Sequence, residues 1–365
     1  MLTKLKGHQR PITNLNLHNN TLLSTGKDGK LVLWNELNND KTIACSGSIW
    51  LAGICEDKIY TGAADGILNL WDLNGTEINS FMAKGPIRGI VYDKENSKYY
   101  ILAKKLAKIQ SVITILDNNF TMLKEFELET EYNSVLQVNN NILCGSCDGL
   151  LKIFTSDLDL LNEIQIHKAE ITNIKVDYEK KIIVTSSYDY NLRVLDINTY
   201  EIIASYKHKA SILSFSIHPS KNIIAIGGGH DKMTIASSAN NGQFDIVMIN
   251  SLTGNKLFDF DSKHFGPVNS LLFHSDNNIF ITGGEDGYVH YWNCDNNWIK
   301  TNTVQSYVDE YNEMKRLLSD SKNLHESLLG AGKEKRNQRR NLKKKIEKLE
   351  VNLPLKLDEI NLLKQ

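Results

Sequence analysis

Histidine, hydroxyl and aspartate side chains recur together along this chain, and these residue types could form the catalytic triad of a hydrolase. The recurring groups are His8, Ser24 and Asp28; His167, Thr185 and Asp189; and His264, Thr282 and Asp286. A catalytic site is needed once, whereas this pattern repeats, and no nucleophile-elbow motif accompanies it. We therefore interpret the groups as structural and predict that the chain is not an enzyme.

Two of the five cysteines form a C-x-x-C pattern, Cys144 and Cys147. A zinc site would need a second pair of ligands, and a redox motif would need a strand followed by a helix. The sequence provides neither, so we interpret both as ordinary strand residues and expect no metal. The odd count and scattered positions of the cysteines predict free thiols and a cytoplasmic location.

Three consecutive glycines, Gly227 to Gly229, could in principle cradle a phosphate group. A phosphate-binding loop would also need a following helix and a Lys-Ser or Lys-Thr pair, and neither is present. The glycines instead indicate a bulge or a close backbone approach within a strand. We expect no cofactor and no small-molecule substrate.

The overall charge gives little attraction to nucleic acid or to an anionic membrane, because the formal net charge is −1. No apolar run approaches the roughly 18–20 residues that span a bilayer, and the polar N-terminus does not resemble a signal peptide. The sequence therefore predicts no association with a membrane.

The elements that carry these residues repeat along the chain. Five segments place an Asp six residues before a bulky apolar residue: Asp28 and Trp34, Asp65 and Trp71, Asp148 and Phe154, Asp189 and Leu195, and Asp286 and Trp292. Weaker copies end at Leu116 and Ile249. A period of roughly 40–45 residues is typical of propeller blades.

The sequence of each repeat predicts a small antiparallel sheet. Asp-Gly pairs suit tight hairpin turns, and the flanking residues are rich in Ile, Val, Leu and Tyr, as strands prefer. One such sheet cannot bury both of its faces, so the units must close into a ring. We predict an all-β, seven-bladed propeller over residues 1–300 and a C-terminal helical extension over residues 304–365.

The period, the Asp-Gly turns and the Trp-Asp endings resemble the WD-repeat family over about residues 1–295. In that family the N-terminal strand, here residues 2–6, completes the last blade. The resemblance also implies buried hydrogen-bonded sets of a His, a strand hydroxyl, a turn Asp and a Trp. The implied members are His8, Ser24, Asp28, Trp34, Thr61, Asp65, Trp71, Asp148, His167, Thr185, Asp189, His264, Thr282, Asp286 and Trp292.

The last two repeats are more specific. Residues 225–234 read AIGGGHDKMT, residues 263–276 read KHFGPVNSLLFHSD and residues 283–290 read GGEDGYVH, with Gly242-Gln243-Phe244 between the first two. These motifs, in this order, resemble the i subunit family of eukaryotic translation initiation factor three. Generic WD repeats rarely hold both the His-Phe-Gly-Pro motif and the Glu-Asp-Gly-Tyr motif.

This resemblance implies a scaffold that binds the b and g subunits of the factor and joins the small ribosomal subunit during initiation and scanning. Protruding loops on a rigid ring usually carry binding. The sequence therefore gives six candidate partner-binding residues: Gly228, Gly229, His230, Met233, Phe244 and Phe265.

The C-terminal segment changes in character and predicts two amphipathic helices. Tyr307, Tyr311, Met314 and Leu318 follow helical spacing, and a second such pattern runs from Leu342 until Pro354, where we expect the helix to stop. Residues 333–348 carry nine Lys or Arg and two Glu. Phosphate contact is possible for Lys333, Arg336, Arg339, Arg340, Lys343, Lys344 and Lys345, and the alternatives are an acidic protein partner or a solvated helix face.

Two other functions stay open from the sequence. The first is a WD-repeat adaptor of the receptor-associated type, whose blades resemble these; residues 225–290 argue against it. The second is an RNA-contacting propeller that acts through its basic tail.

Overall fold

The computed structural model describes residues 2–18, 21–35, 38–104, 110–229, 244–274, 278–328 and 336–364. The chain divides into two compact units, Met1–Asn293 and Cys294–Gln365. The first unit contains the strands and the second contains the helices. No helix in the described part of the chain is both long and apolar enough to cross a membrane.

The strand unit consists, within the described residues, of seven four-stranded antiparallel sheets, which we call blades one to seven. Blade one contains β2 (Ile12–His18), β3 (Thr21–Gly26), β4 (Lys30–Asn35) and β5 (Asn38–Ala44). Blade two contains β6 (Ile49–Cys55), β7 (Lys58–Ala63), β8 (Ile67–Asp72) and β9 (Glu77–Met82). Blade three contains β10 (Ile87–Asp93), β11 (Lys98–Lys104), β12 (Ser111–Asp117) and β13 (Met122–Glu127).

Blades four to six follow the same strand order. Blade four contains β14 (Tyr132–Val138), β15 (Asn141–Ser146), β16 (Leu150–Thr155) and β17 (Leu160–Gln165). Blade five contains β18 (Ile171–Asp177), β19 (Ile182–Ser187), β20 (Asn191–Asp196) and β21 (Ile202–Lys207). Blade six contains β22 (Ile212–Ile217), β23 (Ile223–Gly228), β24 (Asp245–Asn250) and β25 (Lys256–Asp261).

Blade seven joins the two ends of the strand unit. It contains β26 (Val268–Phe273), β27 (Ile279–Gly284), β28 (Tyr288–Asn293) and, as its outer strand, β1 (Leu2–Lys6). Leu2 pairs with Trp292 and Lys6 pairs with Tyr288. The predicted seven-bladed propeller is therefore confirmed, and residues 2–6 close it as the sequence suggested.

The core lies between neighbouring blades. In one cluster Ile12 and Trp34 of blade one pack with Ile281 and Val289 of blade seven, and all four side chains are buried. Comparable clusters join blades two and three and blades five and six. The stability of each sheet therefore depends on both of its neighbours.

The Asp-Gly turns adopt the backbone that their residue types favour. Gly149 follows Asp148 at a φ of 87°, and a Cβ there would lie 2.1 Å from the carbonyl oxygen of His167. In blade five Tyr190 takes the same place at a φ of 67°, although it has a side chain. The turn geometry is thus kept where the glycine is missing.

Two helices follow the propeller, as predicted: α1 (Asn296–Ser327) and α2 (Arg336–Lys364). α1 begins before the expected start of the tail at residue 304, because the Asp295 side chain caps it by accepting a hydrogen bond from the Trp298 N–H at 2.8 Å. This cap was not predicted from the sequence.

The expected helix stop at Pro354 is wrong, because Pro354 lies inside α2. A proline removes one backbone hydrogen bond. Ion pairs to α1 hold both sides of it: Lys322 Nζ lies 2.7 Å from Glu350, and Lys356 Nζ lies 2.6 Å from Glu310. α2 is thus joined to α1 on both sides of the proline.

Removing residues 2–6 is expected to lower the melting temperature by about 5–10 °C, corresponding to roughly 2–3 kcal/mol. The deletion exposes the edge of β28 and removes the main-chain hydrogen bonds that join the start of the chain to blade seven. Thermal unfolding followed by circular dichroism measures the change. The double variant Lys4→Ala/Lys6→Ala keeps the backbone ladder and serves as the matched control. Equal melting temperatures for the deletion and this control would contradict the closing role of β1.

Candidate functional site

Blade seven contains a complete hydrogen-bonded set. Nδ1 of His264 lies 3.0 Å from Oδ1 of Asp286, and Nε2 of His264 lies 2.8 Å from the Thr282 hydroxyl. The Trp292 indole N–H donates to the same hydroxyl at 3.2 Å. The set ties the loop before β26 to the turn after β27 and to β28.

Blade one repeats this arrangement. Nδ1 of His8 lies 3.0 Å from Asp28 and Nε2 lies 2.8 Å from the Ser24 hydroxyl, to which the Trp34 indole donates at 2.8 Å. The His8 and Ser24 side chains are buried. The hydroxyl is therefore enclosed between two ring nitrogens, which is not the exposed position that a nucleophile needs.

Blade five contains the set without the indole. His167 lies 3.2 Å from Asp189 through Nδ1 and 2.9 Å from the Thr185 hydroxyl through Nε2. Leu195 is buried at the position that Trp holds in blade one. The backbone N–H of Lys168 donates to Asp189 at 3.0 Å, so the carboxylate also holds the loop.

Blade two replaces the histidine with residues that the sequence analysis missed. The Trp71 indole donates to the Thr61 hydroxyl at 3.0 Å, and the Ser46 hydroxyl donates to Asp65 at 2.8 Å. Burial raises the pKa of the Cys45 thiol to about 11, although a hydrogen bond with Thr61 acts in the opposite direction. Cys45 and Ser46 thus make the two contacts that one histidine makes elsewhere.

Blade four keeps only part of the set. Asp148 accepts a hydrogen bond from the Ser146 hydroxyl, and that hydroxyl also accepts from the Leu150 N–H at 2.8 Å. Cys144 and Phe154 lie in the apolar core. Burial strongly raises the pKa of the Cys144 thiol, which makes it a poor metal ligand or nucleophile.

A second histidine stacks on the blade-seven set. The rings of His264 and His290 are 3.8 Å apart and tilted by 10°. Together with Asp286 they place three potential metal ligands within 4.8 Å of one another. However, both nitrogens of His264 already bond to Asp286 and Thr282, and two parallel rings cannot both direct an in-plane lone pair at one ion. We therefore assign no metal to this cluster.

Burial sets the charge of these groups. It lowers the pKa of His290 to about 4, and the adjacent His264 adds to the effect. It also lowers the pKa of His167 to about 4 against the attraction of Asp189. Burial alone would raise the pKa of Asp189, but two backbone N–H groups and the His167 ring lower it to about 2. His167 and His290 are thus neutral at pH 7 and Asp189 is ionised.

The blade-seven set positions the Phe265 loop. The Phe265 N–H donates to Asp286 at 3.1 Å, and the Glu285 N–H donates to the Pro267 carbonyl at 2.9 Å. A Cβ on Gly266 would approach Glu285 to 2.8 Å, so glycine is needed for this close packing. The Phe265 side chain is nevertheless 89% exposed. The two specific motifs thus form one rigid unit that presents a single aromatic ring to solvent.

The end of blade six lies against this unit. Gly228 is buried at the end of β23. A Cβ on Gly229 would lie 2.8 Å from the Phe244 ring and 3.4 Å from Cα of Pro267. Gly229, Phe244 and the Phe265 loop are therefore neighbours, whereas Gly228 serves packing. The other two candidates, His230 and Met233, lie outside the described residues.

The basic candidates fall in the helical unit. Lys333 lies outside the described residues, and Arg336 begins α2. Arg339 is half-buried, and Arg340, Lys343, Lys344 and Lys345 are exposed. Within the described residues, none of these last four forms an ion pair.

A cavity of about 460 Å³ opens where the first strands of the blades converge. The Arg88 guanidinium lies 4.1 Å above the Trp50 ring at its wall. Burial, together with the nearby Glu131, raises the pKa of Glu170. The lining mixes both signs of charge and offers no nucleophile and base in contact, so we assign no chemistry to it.

The fold and the repeats define a WD-repeat β-propeller. The family model for the WD domain, G-beta repeat, matches residues 1–35 and 254–293. A computationally designed protein, Ika8, shares the fold with a TM-score of 0.58 at 21% identity, over 80% of this chain and 98% of that chain.

The chain is also similar to eukaryotic translation initiation factor 3 subunit I. The subunit from Bombyx mori is 26% identical over 84% of this chain and 98% of its own length. The subunit from Kluyveromyces lactis is 25% identical over 80% and 92%, and that from Drosophila yakuba is 27% identical over 81% and 98%. The resemblance seen in the sequence is confirmed, and these names indicate no enzymatic activity.

Lowering the pH from about 6.5 to about 4 is expected to reduce the free energy of unfolding. In this window the unfolded chain takes up protons on His167 and His290 that the folded chain does not. Each ring contributes a slope of about 1.4 kcal/mol per pH unit. The variant His290→Phe keeps a ring beside His264. It should remove the contribution of His290 to the pH dependence of the free energy of unfolding. Urea unfolding followed by tryptophan fluorescence at several pH values measures it.

The same urea titration at pH 7.5 is the control. His167 and His290 are then neutral in the folded and the unfolded chain, so the variant and the unmodified chain differ only in packing. A slope between pH 4 and 6 that is identical in His290→Phe and in the unmodified chain would show that His290 is not held neutral by burial.

Proposed function

We propose that the chain is a non-catalytic scaffold subunit of a translation initiation factor 3 complex in the cytoplasm. It binds the b and g subunits and supports the assembly of initiation complexes on the small ribosomal subunit and scanning. The observation that carries the proposal is the rigid unit of the His-Phe-Gly-Pro and Glu-Asp-Gly-Tyr motifs with its exposed Phe265. The similarity to subunit I over most of the chain supports it.

A rigid exposed aromatic side chain is well suited to bind a protein. Aromatic residues are enriched among the few side chains that dominate interface energies. Asp286 fixes the backbone of Phe265 before any partner arrives, so little conformational entropy is lost on binding. The half-buried Phe244 lies near the Phe265 loop and extends the contact surface, and the buried Gly229 lets Phe244 and Pro267 approach closely.

Affinity purification from native cells tests the proposal. The tagged chain is expected to recover the b and g subunits together with small-subunit ribosomal proteins, as identified by mass spectrometry. Phe265→Ala should reduce recovery of at least one subunit about tenfold or more, because a buried aromatic anchor contributes 2 kcal/mol or more. Its melting temperature should stay unchanged, since the side chain is exposed.

Met82→Ala is the matched control, because Met82 is also apolar and is 64% exposed on the outer strand of blade two. A stable partner set without initiation factor subunits would overturn the assignment and favour a receptor-associated type of adaptor. Equal recovery with both variants would remove Phe265 from the interface.

RNA contact by the basic tail is a second candidate function. It is favoured by the four exposed cations Arg340, Lys343, Lys344 and Lys345, which have no ion-pair partner among the described residues. Such side chains can neutralise phosphates and release counterions.

The triple variant Lys343→Gln/Lys344→Gln/Lys345→Gln is expected to weaken binding of a fluorescent 20-nucleotide poly(U) probe about tenfold at 100 mM salt. The salt dependence of log K should also fall by roughly 2, at about 0.7 per lost phosphate contact on a single strand. The Lys-to-Arg triple variant keeps the charge and is the control. Unchanged affinity in the Gln variant would exclude these residues from RNA contact.

A further inference from the structure

The second helix of the C-terminal unit exposes three large apolar side chains on one side. Val351, Leu355 and Leu362 are 64%, 59% and 71% exposed. Their spacing in the sequence places them in one row along α2, because 3.6 residues complete a helical turn. Single exposed apolar residues are common on proteins, but a row of them marks an interaction site.

This row lies on the side of α2 that faces away from α1. The side that faces α1 carries Lys356, whose ammonium group lies 3.6 Å from the centre of the Tyr307 ring, and Ile360, which is 2% exposed. By helical spacing, Val351 and Leu362 project roughly opposite to Lys356 and Ile360. The row is therefore not covered by α1.

Three cations continue the row toward the start of α2. Arg340, Lys344 and Lys348 follow the same helical spacing, are exposed and form no ion pair within the part of the chain that the structure describes. We call these three and the three apolar side chains the two-part face of α2, with a basic half and an apolar half. The face extends over about 33 Å at 1.5 Å per residue.

A lipid surface or an RNA would fit only part of this face. Helices that lie on anionic membranes carry Lys and Arg beside their apolar stripe. Here the cations precede the stripe along the helix, and the exposed Asp358 and Glu359 lie beside it. An RNA would be attracted to the basic half but would leave the apolar half uncovered.

A second copy of the chain does not complement the two-part face either. Closed homodimers use two-fold symmetry, which sets the same surface of each copy against the other. Parallel pairing of two α2 helices would bring the two copies of Lys344 together. Antiparallel pairing over the whole face would set Arg340 opposite Leu362. Neither arrangement matches both halves, so the face fits a different chain.

We propose that the two-part face binds an acidic amphipathic helix of another protein. The apolar half receives the apolar side chains of the partner, and the basic half pairs with Asp or Glu farther along the same helix. A helix can follow a straight row of this length, and α2 offers no strand edge to which an extended peptide could pair. The face is separate from the Phe265 loop, so the inference holds whether or not the proposed function does.

The test uses the full-length chain and three fluorescein-labelled, alanine-rich synthetic helices of about 22 residues. The first probe has a row of Leu in one half and Glu along the same row in the other half. The second has Lys in place of Glu, and the third has the same Leu and Glu mixed evenly along the row. Fluorescence anisotropy is expected to show micromolar binding of the first probe and at least tenfold weaker binding of the other two.

Variants of each half identify the surface that binds. Val351→Gln/Leu355→Gln is expected to weaken binding of the first probe about tenfold or more, because two apolar contacts are lost. Glutamine is a good helix former, so α2 should stay intact. Arg340→Gln/Lys348→Gln should also weaken binding and should reduce its salt dependence.

Leu324→Gln is the matched control, because Leu324 is also apolar and is 45% exposed but lies on α1. This variant should bind the first probe as the unmodified chain does. Circular dichroism confirms that each variant is folded. Hydrogen exchange should show protection of α2 when the first probe binds.

Several outcomes would overturn the proposal. These are equal binding of the first and second probes, undiminished binding by the Val351→Gln/Leu355→Gln variant, and no binding at about 100 µM protein. If the chain self-associates in sedimentation and this variant is monomeric, the face is an interface between copies. If the chain binds phosphatidylserine vesicles and this variant does not, the ligand is an anionic lipid surface.

Discussion

The burial of both faces of every four-stranded sheet is the constraint on which the rest of this structure depends. A single blade exposes aliphatic side chains on both sides, and only a neighbour on each side can cover them. The buried cluster that includes Ile12 of blade one and Ile281 of blade seven shows that the ring completes this burial. Because blade seven uses β1 as its outer strand, the ring is held together by main-chain hydrogen bonds as well as by packing.

The hydrogen-bonded sets depend on this frame and in turn fix the loops above it. In blade seven, Asp286 accepts both from His264 inside the blade and from the Phe265 backbone in the loop. One carboxylate therefore connects the buried core to an exposed aromatic residue. The same hydrogen-bonded set thus holds a loop with an exposed aromatic residue in blade seven. Its copy in blade five holds a loop without an aromatic residue.

Much of the fold could be predicted from the sequence because the same local pattern of residues recurs in successive blades. The Asp-Gly turns, the strand-forming residues and the spacing of the Trp positions each follow from local chemistry, and the structure confirms seven blades. The complete sets in blades one and seven also come together at the predicted residues. Short-range patterns of this kind survive in a sequence because each repeat needs them.

Other features depend on contacts between distant residues and leave no such pattern. Ser46 replaces a histidine in blade two, but nothing in the local sequence shows that its hydroxyl reaches Asp65. The stacking of His290 on His264 requires the sheet register. Pro354 lies inside a helix that is joined to α1 by ion pairs on both sides of the proline, and such contacts between distant residues leave no local pattern.

The pairing of β1 with β28 also constrains how the molecule is made. β1 leaves the ribosome long before β28 and finds its partner only after residue 293 has been synthesised. Translation at about 5–20 residues per second leaves the incomplete ring with an open apolar face for tens of seconds. The nascent chain must therefore shield the inner residues of blade one, Ile12 among them, until the last blade is translated. The propeller is thus prone to aggregation while it is being synthesised. A chaperone that covers blade one during this time would increase the yield of folded protein.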